Sequence, residues 1–178
     1  MSRISTHRPT GLSGFAAALA ARLPGTWTSH YHQHATYPEQ FALAHQVWDL
    51  GHVHWAVSEF VLRHDAELNG PHGQRLYVIE RPLKHGQFLA APLQPRIEFH
   101  HFDGVDEPNG IAVPGDPPRA AAAVARRLLP RYQHALTAVR RNNATARTGQ
   151  PAAGTPNALP LADGRPVHIP SGHAPHVR

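Results

Sequence analysis

Between Thr36 and Gly70 the apolar and half-apolar positions Leu43, Val47, Leu50, His54, Val57, Val61, His64 and Leu68 recur at alternating steps of four and three. That is the spacing of one face of a helix. Phe41, Ala44, Trp48 and Trp55 widen the face. Thr36-Tyr37-Pro38-Glu39 opens it with the spacing of a capping box, and Pro38 falls in the first turn, where a missing N–H costs little. Asn69-Gly70 is a left-handed stop. Gly51 interrupts the run, so the pattern predicts a central pair of helices, 37–50 and 52–68, or one sharply bent helix. Upstream, Leu12, Phe15, Leu19 and Leu23 mark a short amphipathic helix ended by Pro24-Gly25, and Trp27 to Ala35 reads as an aromatic, His-rich connector.

After Gly70 the period changes. Arg75 to Arg81 has the β-branched and aromatic content of a strand, Lys84-His85-Gly86 signals a hairpin turn, and Gln87 to Leu93 returns as a second strand. Arg96 to Phe102 alternates as a third strand, and Ile111 to Val113 makes a short further one. Asp116-Pro117-Pro118 starts a helix with an Asp cap and Pro in the first turn. Its apolar face, from Ala121 to Val139, reaches about Arg141, with a kink expected at Pro130. Residues 143–178 hold six Pro and four Gly, a composition that predicts a disordered tail. The fold class expected is therefore α+β: an N-terminal helix and central helix pair, a small antiparallel sheet, a long kinked C-terminal helix, then the tail. The organisation is a flexible basic arm at 1–10, a single domain at 11–142 and the Pro/Gly/Ala-rich segment at 143–178.

Charge changes this picture more than size does. The net charge is +5, but residues 11–115 hold six basic against ten acidic residues, while residues 116–142 hold six Arg against Asp116 alone. A basic last helix on an acidic body either docks on that body or offers a cationic face to a polyanion. With no Cys, disulfides and thiolate metal sites are excluded. No apolar run approaches the roughly 18 residues of a membrane span. Arg3, Arg8 and Ala18-Leu19-Ala20 share features with targeting segments, but Ala and Gly dominate the run and Arg22 follows at once, so a structural helix and a cytoplasmic location are expected.

Three constellations bear on chemistry. The first is the set of arginines on the last helix, Arg119, Arg126, Arg127, Arg131, Arg140 and Arg141, with Arg81 and Lys84 on the hairpin. Two helices followed by a basic hairpin also resemble a winged-helix order, although the second helix presents Glu59, Asp65 and Glu67 with Arg63 its only Arg or Lys, a face that phosphates repel. The second is His30-Tyr31-His32-Gln33-His34: if extended, its three imidazoles share one side, an arrangement that suits zinc or a similar metal. The third is acid–base chemistry by His54 or His64 in the apolar stripe, near Glu59 and Asp65. The loop 103–107 holds three carboxylates without the alternating ligands of a calcium loop. There is no phosphate-cradling glycine loop with a lysine, no nucleophile elbow and no dinucleotide fingerprint. The leading expectation is a regulatory or accessory protein, with no catalytic role assigned and no cofactor, that contacts nucleic acid. The alternatives are a small His-based enzyme and a protein–protein module anchored by Trp27, Trp48 or Trp55.

Overall fold

The computed structural model describes residues 11–96 and 99–149. The basic arm at 1–10 lies outside them. The order of elements is α1 (Gly11–Ala20), β1 (Thr28–Gln33), a 3-10 turn (Tyr37–Gln40) running into the single turn α2 (Phe41–Ala44), α3 (His52–Glu59), β2 (His64–Asn69), β3 (Arg75–Glu80), β4 (Gln87–Pro92), β5 (Ile111–Pro114), α4 (Pro117–Ala123) and α5 (Leu129–Gly149). The strands form an antiparallel meander in the order β1-β2-β3-β4-β5. The α+β class holds.

The sheet separates two layers, because successive side chains on a strand point to opposite faces. One face carries Ala66, Leu68, Leu76, Val78, Phe88, Ala90, Ile111 and Val113 under α1, α4 and α5. Phe15 of α1 stacks flat on Phe88, ring centroids 3.7 Å apart. The other face carries Tyr77, Ile79, Leu89 and Ala91 under Ala44, Val53, Ala56 and Val57 from α2 and α3. Those two short helices cover β3 and β4 but not β1. The outer corner of this second face is therefore left to polar residues.

The central helix pair is much shorter than its periodicity predicted. Residues 64–69 form β2, and α3 stops at Glu59. The reason is visible in the packing: Ala66 and Leu68 go to one face while Asp65 and Glu67 go to the other, a period of two that the four-and-three spacing of His64 and Leu68 happened to mask. Gln40 fixes this break. Its buried amide donates to the Val57 and Phe60 carbonyls (3.0 and 3.2 Å) and accepts from Leu62 N–H (2.8 Å), satisfying the end of α3. The winged-helix order is not formed, since β3 and β4 are inner strands of the sheet. The connector 27–35 contains β1. Phe99–Phe102 is a 3-10 turn where a strand was expected; Ile97 and Glu98 lie outside the described residues.

The caps read from sequence are partly realised. Glu39 reaches back to Ala35 N–H (2.8 Å) and the Thr36 hydroxyl (3.0 Å), bonds that hold its carboxyl below the usual range, but Thr36 does not return a cap bond. Asp116 accepts from Arg119 N–H at 3.0 Å, as expected. The last helix does not simply kink at Pro130. A π turn spans Val124–Leu128, with Leu129 N–H bonded to the Val124 carbonyl, so the ladder is widened just before the residue that cannot donate. The helix then continues through the boundary expected at Asn143 to Gly149; residues 150–178 lie outside the described residues. Tyr132 locks it to the sheet, donating to the Leu93 carbonyl (2.8 Å) and accepting from Arg75 N–H (3.2 Å).

Candidate functional site

Two polar regions are left after the core is accounted for. The first is the outer face of the last helix. Val124, Leu128, Tyr132, Leu136 and Val139 are buried, and Arg119, Arg126, Arg127, Arg131, Arg140 and Arg141 are exposed. From Pro117 to Gly149 the chain has no acidic residue. None of the six arginines forms an ion pair among the described residues. Arg126 and Arg131 donate Nε–H to their own helix carbonyls, and Arg140 Nη2 donates to the His72 carbonyl at 2.7 Å. The hairpin turn meets the start of this helix through Gly115 N–H and the Gly86 carbonyl (2.8 Å). Lys84 is exposed there, while Arg81 is half-buried and donates to Gln87 Oε1.

The second region is the uncovered corner of β1 and β2. Pairing sets His32 opposite Asp65 and His30 opposite Glu67. Asp65 is fully buried, and its two oxygens meet His32 Nδ1 at 2.7 Å and His34 Nε2 at 3.1 Å. An ionised carboxylate can only accept, so those nitrogens carry the protons and the other nitrogen of His32 is the one left for chemistry. His32 has 43% of its side chain exposed, His34 only 7%. Beneath them lies the buried Tyr77 hydroxyl; burial first, then the Asp65 carboxylate beside it, push its phenol well above the ordinary value. Next along the same face, Arg75 Nε donates to Glu67 at 2.6 Å and Arg75 Nη1 to Gln46 at 2.9 Å.

The shared side predicted for the histidines is thus found, but His32 and His34 converge on a carboxylate. No group of three or more His, Cys, Asp or Glu among the described residues is arranged to hold a metal ion. The pair expected to work in the apolar stripe sits elsewhere: His54 is exposed on α3, and His64 is half-buried in β2, 3.7 Å from Glu80. Trp27 and Trp48 are core residues and Trp55 is 47% exposed, so of the three only Trp55 is open to a partner. In the acidic loop Asp103 and Asp106 are exposed. Asp49, buried, accepts from Gly51, Val53, His54 and Gly110 N–H groups, tying the start of α3 to the residue before β5. Glu107 lies near it, and burial first, then the Asp49 charge, raise its carboxyl above the ordinary value.

Sequence reasoning missed the Asp65 corner. The available signal was the matched alternation of His at 30 and 32 with acids at 65 and 67, legible only once both segments are strands. No helix among the described residues is long and apolar enough to cross a membrane. Compared with protein-family models, curated proteins and solved structures, the chain gives no match.

Proposed function

We propose that this protein is a regulatory or accessory protein that contacts nucleic acid through the outer face of its last helix. One observation carries the reading: six exposed arginines face away from the core and none is neutralised by a carboxylate among the described residues. Internal docking, the competing account of this charge, would require the opposite. Arg119 and Arg141 stand about 33 Å apart at 1.5 Å per residue, the length of roughly ten base pairs. No side chain on this face has the Asn or Gln placement of a base reader near a helix start, so the contacts fall on phosphates and are indifferent to sequence.

The test is binding of fluorescent duplex and single-stranded oligonucleotides across a salt series. Retention at low salt, with log K falling linearly against log salt, is expected. No retention of either form at low salt would remove the proposal.

A further inference from the structure

A cleft of about 670 Å³ opens at the end of the sheet that carries the β2–β3 turn. His30 and His32 line one side, Arg75 and Arg96 another, and Arg140 of α5 reaches in from a third. These cations differ in how they are held. Arg75 is matched by Glu67 and positioned by Gln46. Arg140 is anchored by the His72 carbonyl through one Nη, and the rest of its fork has no bond among the described residues. Arg96 is exposed and has no ion pair among the described residues. His32 is held by Asp65 through Nδ1, and its Nε2 has no partner among the described residues.

We propose that this cleft binds a phosphate dianion, gripped by Arg96 and Arg140, with His32 Nε2 as the group that hydrogen-bonds it and exchanges a proton with it. A planar carboxylate is served by one guanidinium fork; donors from three separate elements suit a tetrahedral anion with oxygens on every side. The buried Asp65 fixes the tautomer and supports the imidazolium that forms when His32 takes up a proton, the role a carboxylate plays behind a catalytic histidine. Free phosphate, a small phosphate monoester and the terminal phosphate of a nucleic acid all present this chemistry. The site does not depend on the helix face binding nucleic acid.

The test uses the full chain and follows histidine ring signals by NMR during titration with inorganic phosphate, then with 5′-phosphorylated and 5′-hydroxyl single-stranded oligonucleotides. The His32 signal should move saturably with phosphate. Arg96→Ala and Arg140→Ala should each weaken binding about tenfold, the size of one charge-assisted hydrogen bond. If Arg140→Ala unfolds the protein, Arg140→Gln, which can still donate to the His72 carbonyl, replaces it. His30 and His72 line the same cleft and Arg75 neutralises Glu67, so the His32 contribution is read from its own ring signal and from its loss in His32→Gln. Tighter binding of the phosphorylated than the hydroxyl oligonucleotide identifies a nucleic-acid terminus; equal binding of the two, with inorganic phosphate still moving His32, identifies a free phosphate. Arg126→Ala/Arg127→Ala/Arg131→Ala should leave the phosphate titration unchanged, which separates this site from the helix face. No movement of His32 with inorganic phosphate or the phosphorylated oligonucleotide up to about 10 mM, weaker than specific sites of this kind, would overturn the proposal.

Discussion

Asp49 and Asp65 are both removed from solvent, 3% and 0% exposed, and the fold uses them in opposite ways. Asp49 accepts from four backbone N–H groups, so its partners are fixed by the path of the chain and cannot leave without unfolding it. Asp65 meets two imidazoles, on and just beyond an edge strand, with the Tyr77 hydroxyl beside it, and one of the imidazoles is exposed to a cleft. The arginines divide in the same way. Arg75 is bound on both sides by Glu67 and Gln46, whereas Arg126, Arg127 and Arg131 have no acidic neighbour on their helix. Polar groups consumed by backbone or by matched charge belong to the architecture. Those left partly open are the groups on which the proposed contacts rest.

The contrast can be broken first at Asp49. Asp49→Ala leaves four donors without their acceptor, and a stability loss of about 3 kcal/mol or more is expected in denaturant unfolding. A loss below 1 kcal/mol would show that water replaces the carboxylate and that this aspartate is not structural. Asp65→Asn keeps the shape and removes the charge, so it should cost less, about 1–2 kcal/mol, while changing the tautomers of His32 and His34 seen by NMR. Unchanged tautomers would mean that the carboxylate does not set them. Tyr132→Phe, on the dry side, removes one buried hydroxyl that serves Leu93 and Arg75, and about 1 kcal/mol is expected.

Arg126→Ala/Arg127→Ala/Arg131→Ala should change stability by less than about 0.5 kcal/mol, because Arg126 and Arg131 bond only to carbonyls of their own helix and all three are exposed. A larger loss would place them among the structural group. The smallest effect is expected at Glu107. Its carboxyl is raised, so the folded state binds its proton more tightly than the unfolded chain. The penalty on the ionised form is present at neutral pH and disappears as pH falls toward and below the ordinary value of 4.5. Glu107→Gln should therefore raise the melting temperature slightly at pH 7 and leave it unchanged near pH 4. A decrease at pH 7 would show that the bond from the Leu50 backbone to this carboxylate outweighs its burial.

What the sequence made legible follows from how local each signal is. The Asp116 cap, the short apolar helix at 11–20, the strands at 75–80 and 87–92 and the amphipathic face of the last helix depend on neighbours within one turn or one strand, and all are found. The spacing of His64 and Leu68 fits a period of four and so predicts helix through residue 68, while the choice of strand is made by pairing with β1 and β3, which local spacing does not encode. The Asp65 corner fails for the same reason: 33 residues separate His32 from Asp65, and only the register brings them to 2.7 Å. The arginine face was visible because it lies on one continuous helix. The π turn was not, although Pro130 marked its neighbourhood.

The account stands most directly on the salt dependence of oligonucleotide binding by the wild-type chain and by Arg126→Ala/Arg127→Ala/Arg131→Ala. A log–log slope of about −4 to −5 is expected for the wild type, flattened by about 3 in the variant, at close to one unit per lost phosphate contact. Equal slopes for the two proteins would contradict it.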